Sequence, residues 1–433
     1  MALETPGKDG GMPGADDRIA NLRKVLAVTS KINSTLNLDE LLTVIMTTAT
    51  EVMSTEVASL LLMEEASQEL VFRVALGDKG SNLTEKFRVK VGEGIAGSVA
   101  QKGESVIVQD ARNDPRFARR FDDNTGFVTK GMLCVPMKAK GKVIGVLQAI
   151  NPRGDKKIGP GDLELFEIFA DQAAIAVENA KLHAEIVKQE KAKQELAIAS
   201  EIQMNFLPDL SGQAFGLDIT ARTLPARTVG GDFYDVLNLD PNKVGVLIAD
   251  VSGKGVPAAL FMVNAISQFR FLAPRYPAPA DLLTHLNQIL ARDSTRGMFI
   301  TAVYLVVDKK TRKVTYASAG HHAILRRRAD GTAEELSSDG GPPVGLMPDA
   351  AFPQNETALE CSDVLFLYTD GIVEARNPKG QEYGAALLKA CLRPACPDAK
   401  TYTENIYNDI AAFAKGAPQH DDMTALVIRF ANG

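Results

Sequence analysis

Four short acidic motifs in the second half of this 433-residue chain constrain it more than any other feature. They are Gly230-Gly231-Asp232-Phe233-Tyr234-Asp235, Ala249-Asp250-Val251-Ser252-Gly253-Lys254-Gly255, Tyr368-Thr369-Asp370-Gly371 and Gln419-His420-Asp421-Asp422-Met423-Thr424. The apolar run Val246 to Ala249 leads straight into Asp250, Val364 to Tyr368 leads into Thr369-Asp370, and Asp421-Asp422 opens onto Ala425 to Ile428. Desolvating a carboxylate at the end of a strand costs several kcal/mol unless a partner compensates it. The simplest compensation is a divalent cation. Carboxylates gathered without matching histidines or cysteines describe an all-oxygen site suited to Mg²⁺ or Mn²⁺. A lone Asp-Gly is a plain turn, but four acidic motifs at strand ends point to a site.

These motifs, with Gly297-Met298-Phe299-Ile300-Thr301, Ser318-Ala319-Gly320-His321 and Gly341-Pro342-Pro343-Val344-Gly345 between them, resemble a PPM-type, metal-dependent protein serine/threonine phosphatase of the SpoIIE-like branch. The likeness spans about Leu196 to Phe430. It implies a layered β-sandwich flanked by helices, such as Pro257 to Leu272 and Ala280 to Ala291, with Pro257 suited to a first helical turn. Phosphate monoesters hydrolyse very slowly unaided, and two divalent cations about 3.5 to 4 Å apart supply both nucleophile activation and charge neutralisation. By resemblance Asp250 bridges two Mn²⁺ or Mg²⁺ ions, Asp232 and the Val251 carbonyl hold one, and Asp370 and Asp421 hold the other. Adjacent strand residues face opposite ways, so of Asp421 and Asp422 one is the direct ligand. Asp421 is favoured, with Asp422 supporting it. His321 is a candidate general acid and otherwise a structural imidazole. Arg222 and Arg227 are candidate phosphate contacts, and Arg326 to Arg328 read as a solvated strand edge.

The length suits two domains, with expected bounds of 1–16 for a disordered tail, 17–161 for a sensory domain, 162–207 for a helical linker and 208–433 for the phosphatase. Asp17 onward is helical in pattern, with Ile19, Leu22 and Leu26 on one face. A second helix carrying Leu41, Leu42, Ile45, Met46, Ala49, Val52 and Met53 follows a cap at Asn37 or Asp39. Strand-like runs succeed it at Ala58 to Leu62, Leu70 to Ala75, Phe87 to Val91, Ser105 to Val108, Met132 to Lys138 and Val143 to Ile150. Gly92-Glu93-Gly94-Ile95-Ala96-Gly97, Val108 to Phe117, and Val135-Pro136 leading to Val143-Ile144-Gly145-Val146-Leu147 resemble a GAF sensory domain over about Asp39 to Ala180. Such domains bind small ligands, and some bind cyclic nucleotides. Asn151, Lys157 and Asp162 match the cyclic-nucleotide pattern, whereas Ile158 and Leu163 depart from it, which leaves the GAF ligand unassigned.

From Asp162 to Phe206 no proline interrupts a helical pattern, which at about 1.5 Å per residue reaches about 65 Å. Phe166, Ala170, Ala173, Val177, Ala180, Ala184 and Val187 alternate spacings of four and three, as in a coiled coil. The spacing predicts a parallel homodimer seam, or else packing of the alanines on the first domain's own sheet. Ile198, Ile202 and Phe206 predict a helix docked on the phosphatase. The fold class expected is therefore α+β: a GAF domain, a long coiled-coil-like helical linker that switches the enzyme, and an α-β-β-α phosphatase sandwich.

The composition, 45% apolar and 24% charged, is that of a soluble globular protein. A net charge of −6 and a pI near 5.6 argue against nonspecific nucleic-acid binding. No run approaches the ~18 apolar residues that span a bilayer, so the expected location is cytoplasmic, away from membranes. Cys134, Cys361, Cys391 and Cys396 form no Cys-x-x-Cys pair and read as reduced, mostly buried thiols. The function implied is dephosphorylation of a partner phosphoprotein, by resemblance a STAS-type anti-sigma-factor antagonist, under control of the GAF domain. A non-catalytic sensory scaffold is the alternative. A diguanylate-cyclase-like reading of Gly230-Gly231-Asp232-Phe233 fails for want of an acidic residue after Asp232.

Overall fold

The computed structural model describes residues 35, 37–76, 88–154, 157–293, 297–336 and 340–430. The expected tail and the helical pattern from Asp17 lie outside them. The chain divides into two units between Lys191 and Ala192.

In the first unit, helix α1 (Leu38–Met53) begins where Asn37 caps the free amides of Asp39 and Glu40 at 2.9 and 3.2 Å. Such a cap is worth about 1 kcal/mol. Six strands follow: β1 (Thr55–Glu64), β2 (Glu69–Leu76), β3 (Arg88–Lys90), β4 (Val106–Val108), β5 (Met132–Ala139) and β6 (Lys142–Pro152). Helix α2 (Gly94–Lys102) lies between β3 and β4, and α3 (Arg120–Thr125) between β4 and β5. The strands form one antiparallel sheet in the order β3-β2-β1-β6-β5-β4. Side chains alternate across it as a two-residue period requires. Leu60, Leu62, Leu133, Val135 and Met137 pack against α1 and the helix α4 (Pro160–Met204), while Leu61, Met132, Cys134 and Val146 pack on the other face with Ile95 and Val99 of α2.

This arrangement corrects the expected dimer seam. Phe166, Ala170, Ala173, Val177 and Ala180 are buried in the same chain, against α1 and the sheet. Small alanines let α4 approach the sheet closely, which is the packing reading of the same spacing. Asn151 is also spoken for: its amide is bonded to the Lys130 N–H, the Val128 carbonyl and Glu56. Burial pushes the Cys134 thiol up to about 12, so it is an inert core group. The other three cysteines are only half-buried.

The second unit is built of two antiparallel sheets. One has the order β15-β12-β11-β10-β9 and comprises β9 (Phe233–Asn238), β10 (Lys243–Val251), β11 (Ile300–Asp308), β12 (Lys313–Ala319) and β15 (Gln354–Ala358). The other has the order β14-β13-β16-β17-β8-β7 and comprises β7 (Ser211–Ala214), β8 (Leu217–Leu224), β13 (Leu325–Arg327), β14 (Ala333–Glu335), β16 (Val364–Tyr368) and β17 (Met423–Arg429). Val246, Ile248, Val303 and Leu305 meet Leu365, Leu367, Leu426 and Ile428 between the sheets. Leu247, Ala249, Ala302 and Tyr304 face outward onto α5 (Val256–Leu272) and α6 (Pro279–Asp293). Phe366, Tyr368, Ala425 and Val427 face the opposite way, onto α8 (Gly384–Leu392) and α9 (Ala399–Ala414), which follow the single turn α7 (Asp370–Val373). Both faces of each central strand are covered, which is why these strands read as unbroken apolar runs rather than alternating ones. The result is an α-β-β-α sandwich.

Two further expectations change. Ile198 and Ile202 of α4 are more than half exposed, while Gln203 between them and Phe206 is buried. Arg326 and Arg327 are no solvated edge either. Arg326 forms a buried ion pair with Asp363, its Nε 3.0 Å from Oδ2, and Arg327 donates to the Arg393 carbonyl.

Candidate active site

Strand parity carries three of the acidic residues to the same place. Val246 and Ile248 point between the sheets, so Asp250 at the end of β10 continues on that face. Asp232 precedes β9 in register with the inward Tyr234, and Asp422 precedes β17 in register with the inward Leu426. Asp370 opens α7 directly after β16.

Asp232 is buried and accepts a hydrogen bond of 2.6 Å from the Thr369 hydroxyl. That hydroxyl in turn accepts from the Thr424 amide at 3.0 Å, so Thr369 joins its own acidic motif to two others. Asp232 and Asp250 lie close enough that each shifts the other's titration. Burial, then the charge of Asp250, raises Asp232 well above the usual carboxylate range. Burial, then the charge of Asp370, raises Asp250 to about 7, with Asp421 and Asp422 contributing. Asp370 is raised by burial and by Asp421. The acidic motifs therefore meet, and each carboxylate feels the others.

Asp421 and Asp422 differ in their surroundings. Asp422 is buried, and its two oxygens accept the amides of Ala226 and Gly231, each at 2.7 Å. Two glycines permit this. A Cβ on Gly230 would stand 2.5 Å from Asp422 Oδ2, and one on Gly371 would stand 2.0 Å from the Asp422 carbonyl oxygen. Asp421 is a third exposed and holds Lys254 Nζ at 2.7 Å, which also donates to the His420 carbonyl. The Val251 carbonyl lies against Gly231, 2.9 Å from where a Cβ would be.

His321 faces Thr301, its Nδ1 2.8 Å from the hydroxyl, and Thr301 pairs with Asp250 across the sheet. Burial lowers its pKa to about 3, so near pH 7 the ring is a neutral imidazole rather than an imidazolium acid. The His322 ring stacks on Tyr368, with 5.3 Å between centroids. Arg222 lies over the ring of Tyr407, 4.6 Å from its centroid, and Arg227 is exposed. Thr369 stands inside a motif that was legible as acidic. Nothing in the spacing announced Gln203, whose Nε2 donates to the Gly230 carbonyl at 2.6 Å and whose Oε1 accepts the Gly230 amide at 3.2 Å.

Among the described residues, no three acidic, histidine or cysteine side chains stand as a finished cation cage. The donor set nonetheless fits hard divalent ions: all its ligating atoms are oxygens, and its carboxylates outnumber the Lys254 ammonium held against Asp421.

Residues 240–431 match the family model of Stage II sporulation protein E (SpoIIE), and residues 37–177 match that of the GAF domain. The phosphoserine phosphatase RsbU of Bacillus subtilis (strain 168) is 31% identical over 246 residues, covering 56% of this chain and 71% of RsbU. The phosphoserine phosphatase RsbP of the same organism is 28% identical over 203 residues, 46% of this chain and 49% of RsbP. The SiaA-PP2C domain of Pseudomonas aeruginosa superimposes with a TM-score of 0.51 at 26% identity, over 56% of this chain and 98% of that domain. The chain belongs to the SpoIIE family of PPM-type phosphatases, with a GAF domain preceding its catalytic sandwich.

Proposed function

We propose that the sandwich removes phosphate from phosphoserine or phosphothreonine of a partner protein, of the STAS anti-sigma-factor-antagonist type, with two Mn²⁺ or Mg²⁺ ions, under control of the GAF unit. The observation that carries this reading is the convergence of Asp232, Asp250, Asp370 and Asp421 at one end of the sandwich with more negative charge than the fold neutralises. Asp250 is the central ligand, Asp232 and the Val251 carbonyl serve one ion, and Asp370 and Asp421 serve the other. Bound divalent ions supply water activation and neutralisation of the phosphoryl oxygens. Asp422 fixes the Gly230-Gly231 backbone beside Asp232 rather than reaching an ion itself. Thr369 orients Asp232, and neutral His321 holds Thr301.

The control reading rests on α4. Its first half is part of the GAF core, and its last turn grips Gly230 through Gln203, two residues from Asp232. The helix is thus a switch element. The pairing surface that fits a homodimer is the face of α4 turned away from the sheet, where Ile168, Ile175, Leu182 and Ile186 are exposed at spacings of seven, seven and four. No helix of the described residues is long and apolar enough to cross a membrane.

Release of p-nitrophenolate from p-nitrophenyl phosphate, dependent on Mn²⁺ and abolished by Asp250→Ala, tests the catalytic reading. A wild-type protein that binds Mn²⁺ yet turns nothing over supports the scaffold instead. For the pairing surface, light scattering should show Ile175→Glu/Leu182→Glu shifting a dimer to monomer.

A further inference from the structure

Beside the carboxylates, Asp421 forms part of the lining of a second feature, a pocket of about 620 Å³. Arg222 and Lys254 also line it, and Ala411 and Ala414 of α9 leave it open by their small size. Its volume falls in the range of sites that take a ligand, about 300–1,000 Å³. Two of its cations are already matched: Lys254 by Asp421, and Arg376 by Glu382 at 2.8 Å. Arg222 has no carboxylate partner among the described residues. Its guanidinium is held over Tyr407, whose hydroxyl lies 2.7 Å from the Arg222 carbonyl oxygen and 2.9 Å from that of Met423. Tyr407 is buried, so the platform is rigid. An exposed guanidinium resting over a buried ring, with no carboxylate of its own, is open to a carboxylate in two parallel hydrogen bonds. Glu374 is the one acid lining the pocket besides Asp421.

We infer that this pocket receives the segment of the phosphoprotein next to its phosphorylated residue, and that Arg222 selects an acidic side chain in that segment. The inference rests on the phosphatase reading above and names the sequence preference of that same site. Continuity is the argument: one wall residue, Asp421, belongs to both the candidate metal cluster and the pocket, so the space that Arg222 lines lies directly beside a phosphate held at the cluster. Arg222 is a specificity residue and takes no part in bond breaking.

The test uses ten-residue phosphoserine peptides carrying Glu, Ala or Lys at the positions flanking the phosphoserine, with p-nitrophenyl phosphate as a reference on the wild-type enzyme. With Mn²⁺ the wild type should cleave the Glu-flanked peptide with at least tenfold higher kcat/KM than the Lys-flanked one. Arg222→Glu should invert that order, and Arg222→Gln should flatten it. Ala411→Trp, which fills the pocket from an exposed helix position, should raise KM for all three peptides. Equal cleavage of the three by the wild type overturns the inference, as does a Glu preference that survives in both Arg222 variants. Failure of the wild type to hydrolyse p-nitrophenyl phosphate is a different result, since it removes the phosphatase reading and the inference with it.

Discussion

Gln203 holds both backbone groups of Gly230, its amide nitrogen 2.6 Å from the carbonyl oxygen and its amide oxygen 3.2 Å from the N–H. A buried primary amide that satisfies a donor and an acceptor of the same residue fixes that peptide's orientation, and here the peptide leads into Asp232. Met262 of α5 packs against the same amide, its sulfur 3.1 Å from Gln203 Nε2.

Replacing Gln203 by Ala leaves two buried backbone groups of Gly230 without partners, at a cost of about 1–3 kcal/mol each. The expected outcome is a loss of stability in urea unfolding, together with weaker Mn²⁺ binding by calorimetry, because Asp232 loses its fixed approach. If Mn²⁺ affinity is unchanged while stability falls, Gln203 is merely a structural amide.

Asp421 and Asp422, adjacent in sequence, should fail in different ways. Asp422→Ala strands the amides of Ala226 and Gly231, so the melting temperature should drop by several degrees, on the scale of 1–3 kcal/mol per unsatisfied group. Asp421→Asn removes charge at a side chain a third exposed. It should melt near the wild-type temperature and need at least tenfold more Mn²⁺ for half-maximal activity. Melting curves and metal titrations on the two variants distinguish the roles. Equal effects on both readouts would show that the two carboxylates share one function.

How legible was this in the chain itself? The strands were, because each central strand buries both faces and so presents an unbroken apolar run, such as Val244 to Ala249, that ends where the acid begins. The acidic motifs were legible for the same reason. The alanine spacing on α4 fits two readings, since a helix that packs on its own sheet and a helix that packs on a second helix both need an apolar residue every three to four positions. Only the depth of Phe166 and Ala170 in the GAF core separates the two. Ile198 and Ile202 are exposed where apolar character alone predicts burial, and the side chain that docks that turn is an amide. Arg326 looked like surface because its partner, Asp363, is supplied by a segment distant in sequence, which no local pattern shows.

That last pair makes its own prediction. Both side chains are about as buried as the apolar core, at 5% and 1% exposure. Removing one partner leaves an uncompensated charge inside, typically costing 3–5 kcal/mol. Asp363→Ala should therefore destabilise the sandwich by roughly that amount in denaturant unfolding, whereas Arg326→Met/Asp363→Leu, which removes both charges, should recover most of it.

The raised pKa of Asp250 predicts how metal-free stability depends on pH. Its folded value, about 7, exceeds the ordinary aspartate value of 3.8, chiefly through burial and then through the charge of Asp370. The folded protein therefore holds this proton more tightly than the unfolded chain, and stability from this group is present below pH 3.8 and is lost as pH rises through about 7. His321 works the other way at acid pH, because its lowered value makes the folded protein lose stability as pH falls below 6.5. The two are separated by comparing the wild type with Asp250→Asn in EDTA. At pH 5 the aspartate is already largely protonated, so the variant should differ little. At pH 8 the wild type carries a buried, crowded charge that the amide does not, and the variant should be more stable by on the order of a few kcal/mol. Added Mn²⁺ should raise the wild-type melting temperature more at pH 8 than at pH 5, since a cation then replaces protons that have left, and should do far less for the variant. A stability difference between the two proteins that stays constant from pH 5 to pH 8 would mean that Asp250 does not titrate in this window.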